Sequence, residues 1–68
     1  MFVRLQNHII NVEEIQIAKM EEIRKGKFNI TITFKNSTNN VYFYNLGLEE
    51  AEATFYLINE ACLNYKKN

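Results

Sequence analysis

The feature of this chain that most constrains its fold is a change in hydrophobic period near Asn45-Leu46-Gly47. Before this point, large apolar residues alternate with polar ones, most regularly in residues 28–34. After it, apolar residues recur at spacings of three and four, which places them along one stripe of a helix. That stripe consists of Leu48, Ala51, Phe55, Ile58, Cys62 and Tyr65. We therefore expect a strand-rich first part and one closing helix, beginning at Gly47, whose stripe lies on the sheet.

The strand-rich part predicts an antiparallel meander of four to five short strands. Turn formers bound most of these segments. The clearest predicted strands cover residues 2–6, 8–12, 28–35 and 41–45. In the last of them, Val41 and Phe43 are expected to face the helix, and Tyr42 and Tyr44 to face away. The fold class is therefore α+β, with one C-terminal helix packed on the sheet.

Residues 14–23 are compatible with two interpretations. In a strand, the three isoleucines of this segment share one parity, and Ala18 and Met20 share the other. The three-residue spacing of Ile15 and Ala18 also fits a helix, and the Glu and Lys residues favour one. We favour the strand because the segment is rich in β-branched isoleucine and precedes a hairpin-like sequence at residues 24–27.

The length of the chain predicts a single domain over residues 1–68, because 68 residues cannot divide into two self-sufficient cores. A domain of this size buries only about 60% of the surface that its unfolded chain exposes, so oligomerisation would add useful burial. One cysteine cannot form an internal disulfide. The order of strands and then a helix resembles that of PH-like domains, which have more strands and more residues. This resemblance concerns the fold alone and implies no function.

Charge and hydropathy narrow the classes of partner. Eight basic and eight acidic residues give a formal net charge of zero, whereas nucleic-acid-binding proteins usually carry a strong basic excess. No segment approaches the run of about 18 apolar residues that spans a membrane, and the first residues do not resemble a secretory signal. A single cysteine agrees with a reducing compartment. We therefore expect a cytoplasmic protein that binds no membrane and for which nucleic acid is a disfavoured partner.

The sequence contains no constellation typical of catalysis, a metal or a cofactor. Catalysis needs a nucleophile, an acid or base and an orienting partner in one cleft. One histidine and one cysteine cannot supply a four-ligand zinc site. His8 lies beside two isoleucines, which favours a packing role, and Cys62 lies on the predicted core stripe, where a thiol fills space. We expect no enzyme activity, no catalytic residue, no cofactor and no metal.

Apolar residues outside the core stripe of the helix are the strongest functional signal. Tyr56 and Leu63 project within about 20° of each other and well away from the stripe. Leu57 points in a third direction. Together with Tyr42 and Tyr44 on the outer sheet face, these residues predict a protein-binding surface. The leading hypothesis is a small non-enzymatic interaction module of bacterial or phage origin, acting as a homodimer or as an inhibitor or accessory protein.

A nucleic-acid-binding accessory protein is the alternative. Arg24, Lys25 and Lys27 surround Gly26 at a predicted hairpin tip. Strand aromatics next to cations hold single-stranded nucleic acid in several small sheets, and the outward tyrosines supply such aromatics. The simpler interpretation is a solvated turn, with the tyrosines covered by another part of the chain or by a second subunit. Protein binding therefore ranks first and nucleic-acid binding second.

Overall fold

A computed structural model of the protein describes residues 1–67 and shows five strands followed by one helix. The strands are β1 (Phe2–Leu5), β2 (His8–Asn11), β3 (Ile15–Arg24), β4 (Lys27–Phe34) and β5 (Val41–Gly47), and the helix is α1 (Leu48–Lys67). All neighbouring strands are antiparallel. These elements confirm the predicted α+β meander with one C-terminal helix on the sheet.

The five strands form two sheets rather than one continuous curved sheet. β1 and β2 make a two-stranded hairpin, and β3, β4 and β5 make a three-stranded sheet in that order. A 3-10 turn at Val12–Glu14 separates the two, and the Asn11 side chain accepts a hydrogen bond from the Glu13 backbone N–H at 3.2 Å. Leu5 and Ile10 of the hairpin join the same core as residues of β4 and β5. The hairpin therefore closes the core instead of extending the sheet.

Residues 14–23 lie almost entirely in β3, so the strand interpretation of this segment is confirmed. The expected single parity for its isoleucines is wrong, because the register against β4 shifts between Ile15 and Ile17. Gln16 is the extra residue of this β-bulge. Ile15 consequently packs against the core, as Ala18 does, whereas Ile17 is exposed.

A further bulge explains why β5 is apolar on both parities. The register against β4 shifts between Phe43 and Leu46. Asn45 lies in the bulge with a left-handed φ of 60°, a conformation that Asn adopts more readily than most residues. As a result, Phe43 and Leu46 both enter the core. Tyr42 and Tyr44 are exposed, as predicted.

The core lies between α1, the three-stranded sheet and the hairpin. Leu5, Ile30 and Ile32 are its largest fully buried side chains. They come from β1 and the central strand β4, so the hairpin and the sheet are joined by the same apolar contacts. Phe55 and Cys62 of α1 pack at the margin of this core rather than at its centre.

The helix stripe predicted from the sequence is correct at its centre and wrong at its ends. Ala51 and Ile58 are buried, but Leu48 and Tyr65 are exposed. Leu48 is the first helical residue and lies about 80° from Ile58 around the axis. Tyr65 lies in the last turns of the helix, which extend to the 3-10 turn rather than over the sheet. Thr54, about 40° from Ile58, is buried in their place.

Candidate functional site

The residues predicted to bind a partner are all exposed, but they do not form one patch. Tyr42 and Tyr44 lie on the outward face of the three-stranded sheet. Tyr56 and Leu63 project from the side of α1 that borders β3. Leu57 projects from α1 in a different direction. The predicted residues therefore lie on three separate surfaces, and each of these is a candidate contact surface.

The two sheet tyrosines stack on each other. Their ring centroids are 5.6 Å apart and their planes differ by 7°. The stack forms because residues two apart in a strand share a face. Asn40 Nδ2 donates a hydrogen bond to Tyr42 Oη at 3.1 Å. Each ring therefore has one face covered by its neighbour, and only the outer faces are free for a ligand.

The basic residues predicted for nucleic-acid binding lie at the β3–β4 turn, close to the bulge in β5. Arg24 Nη2 donates a hydrogen bond to Asn45 Oδ1 at 2.8 Å. Lys25 is exposed, and Lys27 is half-buried. The turn also carries an acid, since Glu22 Oε2 accepts a hydrogen bond from a backbone N–H of the turn at 3.3 Å. The positive charge of the tip is therefore partly balanced at the tip itself.

An apolar groove runs between β3 and α1. We call it the β3–α1 groove and define it by Ile15, Ala18, Met20, Phe55, Asn59 and Cys62. Its wider end has a volume of about 460 Å³ and is bordered by Glu52 and Tyr56. The narrower part has a volume of about 240 Å³. Phe55 and Asn59 line both parts, so the two parts adjoin each other along β3.

Tyr56 and Leu63 give the groove an exposed apolar rim. Tyr56 is 61% exposed and Leu63 is 46% exposed. They are seven residues apart and therefore point in nearly the same direction. Leu57 lies about 100° from Tyr56 around the helix axis and does not contribute to this rim.

β3 presents a free backbone edge beside the groove. Within the part of the chain that the structure describes, β3 pairs with β4 alone, and this pairing is regular over residues 17–22. Lys19 and Glu21 form an ion pair at 3.8 Å, with their side chains 60% and 59% exposed. The edge position was not predicted from the sequence, because strand order in a sheet is not visible in local alternation.

A second depression, which the sequence did not indicate, lies between β2 and residues 36–40. It has a volume of about 360 Å³ and includes His8 and Ile9. The His8 ring packs edge-on against Phe43, with ring centroids 5.3 Å apart, so this histidine has a packing contact. Ile9 is exposed and pairs with Arg4 in the hairpin. Alternation along β2 would have indicated the exposure of Ile9, since Ile10 has to face the core.

The phenol of Tyr65 contacts a carboxylate near the end of α1. Its Oη donates a hydrogen bond to Glu13 Oε1 at 3.3 Å. The negative charge of Glu13 raises the pKa of Tyr65 above its ordinary value of 10.0, with further contributions from desolvation, from this hydrogen bond and from Glu14. A phenol is already protonated at neutral pH at its ordinary pKa of 10.0, and the upward shift of this pKa favours the protonated form further. The contact therefore ties the end of α1 to the 3-10 turn and does not activate the phenol.

Among residues 1–67, no three histidine, cysteine, aspartate or glutamate side chains are grouped so that they could hold a metal ion. Cys62 is a free thiol at the margin of the core. The same part of the chain has no helix with the length and apolarity needed to cross a membrane. Comparisons with protein-family models, with curated proteins and with solved structures found no match to this chain.

Proposed function

We propose that this chain is a small non-enzymatic protein-interaction module. Its contact surface is the β3–α1 groove together with Tyr56, Leu63 and the free edge of β3. One observation carries this proposal: an apolar groove and an unpaired strand edge lie side by side. A partner segment that lies along β3 gains main-chain hydrogen bonds from the edge and side-chain contacts from the groove.

The other two surfaces support a partner less well. The outward sheet face carries the Lys19–Glu21 ion pair and threonines beside its tyrosines, and the tyrosines already contact each other. Leu57 is a single exposed leucine, which is ordinary on a protein surface. Large apolar side chains that lie in or beside a groove contribute most of the affinity of a typical interface. Tyr56 and Leu63 have this arrangement.

Capture of binding proteins from native lysate tests the proposal when wild type and variants are compared. The Tyr56→Ala/Leu63→Ala variant should lose at least about tenfold in affinity for a captured protein, because large exposed anchors cost much binding when truncated. The matched control is Tyr42→Ala/Tyr44→Ala, which removes two aromatic rings from the opposite surface and should retain the protein. Circular dichroism checks that both variants keep the fold, since exposed side chains contribute little to stability.

Two results would count against the proposal. Equal capture by wild type and by Tyr56→Ala/Leu63→Ala would place the contact surface elsewhere. A wild-type protein that captures nothing and does not self-associate would remove the basis for an interaction module.

Nucleic-acid binding is the second candidate, and one contact favours it. The hydrogen bond between Arg24 and Asn45 brings the basic tip to the residue that follows Tyr44 in β5. The neutral formal charge of the chain and the acid at the tip weigh against this candidate. Titration of a fluorescent single-stranded oligonucleotide tests it. Binding that falls steeply with salt and is lost when Arg24, Lys25 and Lys27 are changed to Gln would favour this candidate over the first.

We also propose a cytoplasmic location. The support is the single cysteine of the sequence, which has no second cysteine with which to form an internal disulfide. Fractionation of expressing cells, with immunodetection of the protein, tests this location. Recovery in a secreted or envelope fraction would contradict it.

A further inference from the structure

The free edge of β3 limits which partners can dock beside the groove. The ten residues of β3 make it the longest strand among the described residues. Register shifts at both ends of its pairing with β4 leave residues 17–22 as the regular part. Among the residues that the structure describes, no strand lies beside the backbone groups along the outer edge of this part. Such an edge accepts another extended strand without any change in its own backbone.

The charge pattern on residues 17–22 points to a second copy of the chain as the occupant. Directly opposite residues in an antiparallel pair lie on the same face of the sheet. A two-fold axis through Met20 places Lys19 opposite the partner's Glu21, and Glu21 opposite the partner's Lys19. An axis through Lys19 or through Glu21 would instead place like charges opposite each other, which is unfavourable. The axis through Met20 is thus the charge-complementary arrangement.

The same axis also joins the apolar parts of the two copies. Met20 borders the wide end of the β3–α1 groove, with Phe55 and Tyr56 of α1 on the other side. With the axis at Met20, this methionine lies opposite the partner's Met20 on the face that carries the helices. The wide ends of the two grooves then meet at the axis. Tyr56, which is exposed in the single chain, becomes covered by the second copy.

We propose that two copies of this chain form a symmetric dimer by antiparallel pairing of β3 with β3, centred on Met20. The result is a six-stranded sheet in the order β5-β4-β3-β3-β4-β5 with both helices on one face. This proposal rests on the proposed function, because it names the partner that occupies the same surface. It also gives a domain of this size the additional apolar burial that small cores lack.

Register-specific cross-linking tests the dimer. In the background Cys62→Ser, the variant Met20→Cys places two thiols at the axis, where Cα atoms are about 4.5 to 5.5 Å apart and a disulfide can form. The matched control is Ala18→Cys in the same background. Residue 18 and its counterpart in the second copy are then offset by four residues, about 13 Å along the strand. Mild oxidation should give a covalent dimer from Met20→Cys and none from Ala18→Cys.

Exchange of the two charges tests the same arrangement without changing the groove. Lys19→Glu and Glu21→Lys each place like charges opposite one another in the homodimer, so each variant alone should dimerise about tenfold more weakly or worse. A one-to-one mixture of the two variants restores opposite charges at both positions. The mixture should therefore form a heterodimer with an affinity close to that of wild type, measured by analytical ultracentrifugation.

The outcomes separate this proposal from the proposed function. A cross-link through Ala18→Cys but not Met20→Cys, or a charge mixture that does not associate, overturns the dimer centred on Met20. A wild-type protein that is monomeric also overturns it. If that monomer still captures another protein in a manner that depends on Tyr56 and Leu63, the proposed function stands with a different partner. If no such capture occurs, both proposals fail.

Discussion

Arg24 and Asn45 are 21 residues apart in the sequence and share a hydrogen bond of 2.8 Å between Nη2 and Oδ1. The bond connects the β3–β4 turn to the bulge in β5. The backbone N–H of Asn45 in turn donates to Asn29 Oδ1 at 2.9 Å. Three strands are thereby joined around one left-handed residue. This bulge lets Phe43 and Leu46 both enter the core, so local polar contacts support the apolar packing below them.

Substitution of Asn45 separates the contribution of its backbone from that of its side chain. Asn45→Gly and Asn45→Ala both remove the bond to Arg24, worth about 0.5 to 1.5 kcal/mol. Both variants have to keep the left-handed φ of 60° at this position, which glycine adopts without steric cost and which costs alanine about 1 to 2 kcal/mol more. Urea unfolding should therefore rank the free energies of unfolding as wild type, then Gly, then Ala. Equal stability of the Gly and Ala variants would show that the bulge is not held in this conformation.

Burial along α1 predicts unequal costs for two core substitutions. Ile58 is buried and Phe55 lies at the margin of the core. Ile58→Ala should lower the free energy of unfolding by about 2 to 5 kcal/mol. Phe55→Ala, although it removes more atoms, should lower it by less than Ile58→Ala does, because the Phe55 ring is only partly buried. Chemical denaturation of both variants checks the order, and a larger loss for Phe55→Ala would contradict the helix orientation.

The two glycines provide a matched test of backbone strain. A Cβ at Gly26 or at Gly47 would meet no atom within 4 Å, so neither substitution by Ala causes a clash. Gly26 has a φ of 77°, whereas Gly47 does not have a positive φ. Gly26→Ala should therefore destabilise the fold by about 1 to 2 kcal/mol through backbone strain. Gly47→Ala should not incur this cost, and thermal unfolding of both variants measures the difference.

The contact between Tyr65 and Glu13 predicts a pH effect. Because the charge of Glu13 raises the pKa of Tyr65, the folded state holds the phenol proton more tightly than the unfolded chain does. The stabilising contribution is complete below the unfolded pKa of about 10 and is lost as the pH rises through the folded pKa. Glu13→Gln should lower the pKa of Tyr65 toward 10.0, as measured by NMR titration of the tyrosine rings. An unchanged pKa would show that Glu13 is not its cause.

Local patterns were sufficient to predict most of the fold. Alternation in β4 and the helical spacing after Gly47 give the strand-then-helix order, because burial of one face imposes those periods directly. The two sheets and the face of Ile15 depend on the 3-10 turn and on the bulge at Gln16. The bulge involves one residue and the 3-10 turn involves three. Strict alternation of apolar and polar residues cannot predict either of them. The burial of Thr54 was not predicted, because threonine is not counted as an apolar residue when a helix stripe is identified from the sequence.

The candidate site could be predicted only in part. The exposure of Tyr56 and Leu63 follows from helical geometry and was predicted. The groove beside them was not, because it depends on which strand lies at the edge of the sheet and where α1 crosses it. The edge position of β3 is set by the order of strands. Lys19 and Glu21 acquire their proposed role from that position alone.

The proposed dimer makes the β3–α1 groove and the adjacent edge of β3 the contact surface between two copies of the chain. Amide N–H correlation spectra of the wild-type protein, recorded by NMR from about 10 μM to about 1 mM, test this residue by residue over the range of typical weak to moderate dimers. From the dimer we expect concentration-dependent shifts in residues 17–22 and at Tyr56 and Leu63, with none at Tyr42 and Tyr44. Spectra that do not change with concentration, or shifts confined to the two sheet tyrosines, would contradict it.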